Sequence, residues 1–299
     1  MSDVWSPFAG WFLFAGMTLA TGATLARWTI LPRAVGSIDA PASLLVDRAA
    51  RLGSIAAATL PLAMGLYFLR QMEEFRDPLA PWSEDAGLLL STAWGRSWIW
   101  ATAGSVFAAA MMGLARFGKN AGWVLATAAL LALGVFPGLT GHAAAAESAA
   151  GLVLATDALH VWAASGWIGG LATVLYLEWT WRRSEAGGSL LPALVPPFST
   201  VAMICVGTLA LTGTVSAWIT LPDLATLFAP GYGRILLLKL AFVGVVLGLG
   251  GLNFRVLTPP LGSDAGDDAM RRSATIELMI AQVVLVITAI LVRTSPLGH

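Results

Sequence analysis

Eight apolar runs, each long enough to cross a lipid bilayer as a helix, constrain this 299-residue chain more than any other feature. Crossing a hydrocarbon core of about 30 Å takes roughly 20 helical residues. Lipid cannot satisfy open backbone groups, and the chain shows no period-two alternation of the kind that predicts a barrel. We therefore predict an all-α, polytopic transmembrane helical bundle with about eight spanning helices. The runs lie at about 8–30, 50–70, 97–116, 121–141, 152–177, 198–220, 234–253 and 275–293.

The apolar runs leave no room for a soluble domain, since hydrophobic residues make up 57% of the chain and charged residues only 11%. We expect one integral membrane domain over residues 1–299. A Gly- and Pro-rich segment at 179–197 indicates a linker, which would divide the bundle into five helices at 1–178 and three at 198–299. The first residues lack a cationic region and a small-residue cleavage site, so the first run is predicted to be a retained helix.

The distribution of Lys and Arg between alternate connections predicts the orientation. Basic residues near helix ends are retained on the cytoplasmic side. With the N-terminus outside, eleven basic residues fall in inside segments and five in outside segments, while Lys239 lies within a run. The asymmetry predicts that both termini are outside.

Charge and cysteine content exclude several classes of function. The net charge is zero and basic residues occur singly or in pairs, so no nucleic-acid surface is indicated. The single cysteine, Cys205, excludes an intramolecular disulfide and a CxxC metal clip. No P-loop or other phosphate-binding motif is present, so we expect no nucleotide-driven transport. We also predict that the protein is not an enzyme.

Polar side chains cluster near the end of the fifth run that is predicted to lie at the outer membrane surface. Asp157 and His160 are three residues apart and share one helix face, roughly 8 and 12 Å from the helix start. His142 ends the preceding run, and only about ten residues separate the two runs. A carboxylate beside an imidazole can support a metal ligand, yet the same residues can serve as helix caps and interhelical contacts. Small residues at 163–170 predict close approach of another helix.

Other side chains lie at similar predicted depth. Met17 and Met64 are candidate soft ligands, because thioether and imidazole together suit Cu(I), or they are packing residues. Lys239 is predicted either to form an ion pair with Asp157 or to reach toward the membrane interface.

One further carboxylate falls within the eighth run. Glu277 is predicted to pair with Arg271 or Arg272, because an ionisable group within a spanning helix is costly without a partner.

Several blocks of this chain resemble the copper resistance protein D (CopD) family. DALHVWAASGWIGGL at 157–171 resembles the family's signature, and GHA at 141–143 resembles its preceding short motif. LTGTVSAWITL at 211–221, the run at 232–259 and the pattern at 271–277 resemble the remaining blocks. The resemblance covers about 90–295, whereas the first ninety residues are similar in hydropathy alone.

The resemblance implies a multi-pass protein of the bacterial inner membrane that handles copper and moves it toward the cytoplasm. His142 and His160 fall on the family's motif histidines, and Asp157, Trp167 and Lys239 fall on other motif positions. The implied partners are the lipid bilayer, a copper ion and a separate periplasmic copper carrier as donor. The leading hypothesis is therefore a periplasm-facing copper site built from the two histidines, with Asp157 in support.

Two alternatives stay open from the sequence. The two histidines are the minimum for axial ligation of one b-type haem, which would make this a redox membrane protein. A non-transporting scaffold or sensor subunit, in which the histidines only pack, is the other alternative.

Overall fold

The structure, a computed structural model, describes residues 2–34, 36, 41–140, 150–184, 188–221, 225–228 and 231–294. These residues form helices and connections and contain no strand. Eight of the helical segments are long and apolar enough to span a membrane. The prediction of an all-α, polytopic bundle is thus confirmed. The helices are α1 (Ser2–Thr29), α2 (Leu31–Ala34), α3 (Ala42–Phe75), α4 (Trp82–Ser91), α5 (Ala93–Arg116), α6 (Asn120–Leu133), α7 (Phe136–Thr140), α8 (Ala150–Ala164), α9 (Gly170–Arg182), α10 (Leu191–Thr220), α11 (Tyr232–Leu252) and α12 (Asp264–Leu291).

Two of these helices continue through π-helical turns. Ser165–Gly169 joins α8 to α9, so that one spanning helix runs through all three segments. Asn253–Leu257 extends α11 in the same way. Hydropathy reports neither feature, because a π turn changes the backbone hydrogen-bond register without changing composition.

The spanning helices alternate in direction, which gives the bundle a first end, where α1 begins, and a second end, where α9 stops. At the first end, the Trp5 indole donates to Glu73 over 2.9 Å. Nearby, Arg293 after α12 pairs with Glu74 at 2.5 Å. Side chains from the ends of α1, α3 and α12 thus meet there.

Charged groups at the second end join α9, α10 and α12. The Glu178 carboxylate is fully buried and accepts from the Ser189 hydroxyl at 3.1 Å and from the Leu190 amide at 2.8 Å. Arg271 of α12 approaches Glu178 at 3.4 Å and Asp268 at 2.7 Å. These contacts close the second end around a buried carboxylate.

The predicted pairing of Glu277 with Arg271 or Arg272 is wrong. Arg271 is held by Glu178 and Asp268, and Glu277 forms no ion pair among the described residues. The reason is helical geometry. Residues five or six apart differ by about 140° or 120° around a helix of 3.6 residues per turn, so they do not share a face.

Helix α1 lies at the centre of the bundle, in contact with α3, α6, α9 and α12. It crosses the Ser165–Gly169 turn at a pair of glycines. A Cβ at Gly169 would lie 2.0 Å from the Thr18 carbonyl oxygen, and one at Gly22 would lie 2.3 Å from the Gly169 Cα. The two backbones therefore touch directly, as small-residue crossings in membranes allow.

Burial separates this centre from the periphery. About 61% of the apolar window of Trp5–Ala34 is buried, against 6% for Tyr232–Leu257. The α11 helix thus exposes most of its apolar surface, which suits contact with lipid.

Candidate functional site

His160 lies on α8 between that helix and α10. It is the eleventh residue of α8, about 15 Å along the helix from its start at the first end. The side chain is half-buried. Its Nδ1 atom is 2.9 Å from the hydroxyl of Thr212 on α10, and Thr212 is itself buried.

The hydrogen bonds of Thr212 favour one tautomer of this imidazole. The Thr212 hydroxyl also donates to the Thr208 carbonyl at 2.8 Å. A hydroxyl has one hydrogen, so with that hydrogen on Thr208 the oxygen accepts from an Nδ1–H of His160. A neutral imidazole protonated at Nδ1 has its lone pair on Nε2, which is the form that binds metal ions.

Asp157 lies one turn before His160 on the same face of α8 and is half-buried. It packs against α7, since a Cβ built on Gly138 would lie 3.4 Å from an Asp157 carboxylate oxygen. The Asp157 carboxylate also interacts electrostatically with Tyr232 at the start of α11. Helices α7, α8, α10 and α11 thus surround one polar region that includes His160, Thr212 and Asp157.

Lys239 of α11 lies close enough to His160 for their charges to interact, and it is half-buried. The positive charge of Lys239 would repel a metal cation at the imidazole. A nearby carboxylate is needed to offset this repulsion. Asp157 is a candidate for this role. The predicted ion pair between Asp157 and Lys239 stays a prediction.

The remaining predicted ligands are not brought to this region by any observed contact. His142 lies outside the described residues. Met17 and Met64 are 3% and 1% exposed in the main hydrophobic core, and the Met64 carbonyl accepts from the Trp98 indole at 2.9 Å. Their roles as ligands stay predictions. The described ranges contain no group of three or more His, Cys, Asp and Glu side chains placed to hold a metal.

Thr212 is a site residue that sequence reasoning missed. It belongs to the block LTGTVSAWITL, but threonine is common in spanning helices, where its hydroxyl bonds a carbonyl one turn back. Its partner His160 is 52 residues away in the sequence. Only knowledge of how α8 and α10 face each other singles it out.

These features define a multi-pass membrane protein with an imidazole and a carboxylate between its helices, and comparison with known proteins identifies the family. The family model described as Copper resistance protein D matches residues 192–291. The model of the Copper resistance protein D-like N-terminal domain matches residues 1–152. The chain belongs to the copper resistance protein D family, and residues 153–191 lie between the two matches.

Two curated proteins extend the comparison. The chain is 32% identical to Copper transport protein CutJ of Bacillus subtilis over 141 residues, which is 46% of this chain and 25% of that protein. It is 30% identical to Copper resistance protein D of Pseudomonas syringae pv. tomato over 167 residues, 52% of this chain and 54% of that protein. The chain thus spans about a quarter and about half the lengths of these relatives. No solved structure matches.

The comparisons correct one expectation about the extent of the resemblance. The first ninety residues were expected to be similar in hydropathy alone, but the N-terminal family model includes all of them. The motifs that indicated the family contain polar residues at fixed spacing, and none of those blocks falls in this largely aliphatic region.

Proposed function

We propose that this protein binds copper at His160 and moves it across the bacterial inner membrane toward the cytoplasm. The observation that supports this most directly is the hydrogen bond between His160 Nδ1 and Thr212, which orients the imidazole and directs its lone pair to Nε2. Membership of a copper-handling family supplies the identity of the metal. Copper is here the transported substrate.

The proposed site is completed by Asp157 and His142. The carboxylate supplies negative charge beside the imidazole and offsets Lys239. His142 follows the end of α7 by two residues in the sequence, and α7 contacts Asp157 through Gly138. Two imidazoles with a carboxylate suit Cu(II), whereas thioether partners such as Met17 or Met64 would favour Cu(I).

The proposed orientation places the first end of the bundle in the periplasm, with both termini outside. The asymmetry of basic residues between alternate connections supports it. His160 then lies on the periplasmic side, about 15 Å of helix from the start of α8. A separate periplasmic copper carrier is the proposed donor. Transfer proceeds by binding and release without nucleotide hydrolysis or chemical conversion of a substrate.

The test is the copper content of the purified protein and the copper uptake of cells, for the wild type and for His160→Ala. Removal of a metal ligand should weaken copper binding by more than about tenfold, since even outer partners of ligands contribute about 10 to 100-fold. Uptake should fall in parallel. Leu159→Ala is the matched control, because Leu159 is adjacent on α8 but 45% exposed on the bundle surface.

Unchanged copper binding and uptake in His160→Ala would contradict the proposal. A Soret band in the purified protein would favour haem ligation by the histidines. Normal copper handling by cells with both histidines replaced would favour the scaffold or sensor alternative.

A further inference from the structure

A cavity of about 390 Å³ lies between α9, α10, α11 and α12, in the half of the bundle nearer the second end. Most of its wall is apolar, and the exceptions include the carboxyl group of Glu277 and the amide of Asn253. The lining extends toward the second end, because it includes Leu191, the first residue of α10, and Arg255, in the π turn after α11. None of these residues belongs to the polar region around His160.

The carboxylate of Glu277 is buried beside this cavity and is bonded to two neutral donors. The side chain is 3% exposed. The Trp167 indole donates to one oxygen at 3.2 Å, and the Asn253 side-chain amide donates to the other at 2.7 Å. A carboxylate has about four acceptor positions on its two oxygens. Two donors therefore leave roughly half of its acceptor capacity unused.

No cation of the described residues pairs with Glu277, since none of the ion pairs found in the described ranges includes it. Arg255 is the one other titratable side chain in the described lining, and it is exposed. A guanidinium group stays charged in proteins, so Glu277 is the group of this cavity that can gain or lose a proton. In membrane helices, buried carboxyl groups commonly mark proton pathways.

Other charged and titratable side chains of the surrounding helices are engaged elsewhere. On α9 and α12, Glu178 pairs with Arg271 at the second end. The remaining cases are Cys205 of α10, which approaches Gly166, Lys239 of α11, which interacts electrostatically with His160, and Arg27 of α1, which stacks over Trp28.

The space beside the carboxylate suits water. Asn253 is 9% exposed, and its Oδ1 atom has no hydrogen-bond partner among the described residues. A Cβ built on Gly250 would have only an oxygen of Glu277 near it, at 3.8 Å, and one on Gly251 would have nothing within 4 Å. A buried water needs about 10 to 15 Å³ of cavity and two to four polar partners. The cavity has this room, and Asn253 Oδ1 and the unused positions of Glu277 are such partners.

Both residues that bond to Glu277 come from π-helical turns. Trp167 is the middle residue of Ser165–Gly169, and Asn253 begins Asn253–Leu257. Single π turns are rare and occur frequently at functional sites. Two of them on different helices, directed at one carboxylate, distinguish this place from ordinary helix packing.

We propose that Glu277 is a proton-binding site, which exchanges protons with the second end of the bundle through water in this cavity and makes copper movement depend on the pH there. The step is a proton transfer alone. One Glu277 oxygen forms an O–H bond to a proton delivered by water, the same bond breaks on release, and no electron moves.

The link to copper is electrostatic. Trp167 lies seven residues after His160 along α8 and its π turn, a rise of about 10 Å. A cation that leaves His160 toward the second end therefore passes the level at which Trp167 bonds to Glu277. An ionised carboxylate there attracts the cation in a medium of low dielectric constant, whereas the protonated group does not. This link rests on the proposed function, but the proton site itself does not.

Infrared difference spectra of the full-length protein in lipid nanodiscs, without copper, test the proton site. Between about pH 4 and pH 10, a range that includes exposed and buried carboxyl groups, the wild type should lose the carbonyl band of one protonated carboxyl that Glu277→Gln lacks. Heavy water should shift this band, because its proton exchanges with solvent. Glu84→Gln is the matched control and should keep the band, since Glu84 is exposed at the first end.

Copper transport into vesicles, with the pH set separately on each side, tests the link. Transport by the wild type should become roughly tenfold faster as the pH at the second end rises through the range in which the band disappears. Glu277→Gln should be slow at every pH, because its neutral amide resembles the protonated carboxyl. Glu277→Asp keeps a carboxyl group and should retain the dependence on pH. Thermal melting of each variant shows whether the bundle is intact.

The outcomes separate the two proposals. Identical spectra of the wild type and Glu277→Gln at every pH would overturn the proton site. Should Glu277→Gln fail to fold, an identical band in the wild type and Glu277→Asp would overturn it as well. Copper transport that ignores the pH at the second end would overturn the link to copper. If His160→Ala transports copper as the wild type does, the site at His160 fails, and the spectra still decide the proton site.

Discussion

The contacts around His160 fix the orientation of its imidazole. The Thr212 hydroxyl is anchored to the backbone of its own helix through the Thr208 carbonyl. Because that anchor uses the hydroxyl hydrogen, Thr212 presents an oxygen to the ring at a fixed position. The ring edge at Cε1 faces Gly213, where a Cβ would still be 3.8 Å away. Helix α10 thus holds the imidazole without crowding it.

Thr212→Val tests this orientation at the residue scale. Valine keeps the shape of threonine and removes the oxygen that accepts from Nδ1–H. We expect copper affinity to fall by about 10 to 100-fold, the usual effect of losing a partner that orients a metal-bound histidine. Competition with a copper chelator measures the affinity, and thermal melting checks the fold.

Thr214→Val is the control for this substitution. Thr214 lies two residues further along α10, is exposed, and donates to the Ala210 carbonyl. It should leave copper affinity unchanged. Equal affinities for the wild type and Thr212→Val would show that the hydroxyl does not orient the ligand.

At the scale of elements, the crossing of α1 with the Ser165–Gly169 turn positions both His160 and Trp167. The turn lies between His160 on one side and Glu178 on the other, and Trp167 within it reaches Glu277. Direct backbone contact with α1 at Gly22 fixes the height and rotation of this helix. Displacing the crossing would therefore move His160 and Trp167 together.

Gly169→Ala tests the crossing. Its new Cβ would lie 2.0 Å from the Thr18 carbonyl oxygen, a backbone atom that cannot move aside without shifting α1. We expect the free energy of unfolding to fall by about 1 to 3 kcal/mol or more, the usual cost of overpacking. The measurement is the melting temperature of the protein in detergent.

Gly65→Ala provides the comparison, because nothing lies within 4 Å of a Cβ at that helical position. Alanine is favoured over glycine in a helix by up to about 1 kcal/mol, so this variant should be as stable as the wild type or more so. If Gly169→Ala has the same melting temperature as the wild type, the tight crossing is disproved.

At the scale of the whole molecule, the chain is a bundle with a buried centre and an exposed periphery. Helix α1 contacts α3 of the amino-terminal part and α12 of the carboxy-terminal part. The two stretches matched by separate family models are therefore in contact through the first helix. Asp157 and His160 of the proposed copper site lie in the segment between those matches, and Thr212 lies within the second match.

Thiol labelling tests the proposed orientation of this bundle. In a Cys205→Ala background, Leu79→Cys places a thiol between α3 and α4, and Phe117→Cys places one between α5 and α6. The native side chains are 94% and 81% exposed, so both thiols are accessible to a reagent. A membrane-impermeant maleimide should label Leu79→Cys in spheroplasts, and Phe117→Cys only after the membrane is permeabilised. The reverse pattern would place the termini inside.

The sequence by itself determined the class of protein, the number of spans and the placement of Asp157 and His160 on one face of a helix. These follow from local rules: the bilayer sets the length of an apolar helix, and 3.6 residues per turn brings positions three apart together. It also indicated the family through short polar motifs, although it underestimated the extent of the match.

Only the tertiary structure decided which side chains meet between helices. Thr212 beside His160, Gly22 against Gly169, and Trp167 and Asn253 on Glu277 join residues separated by 24 to 147 positions. Hydropathy does not predict such pairs, because a membrane helix is apolar on nearly all sides and its composition leaves the rotation about its axis open. Close packing of small residues and hydrogen bonds between helices set that rotation, and with it the polar contacts between helices.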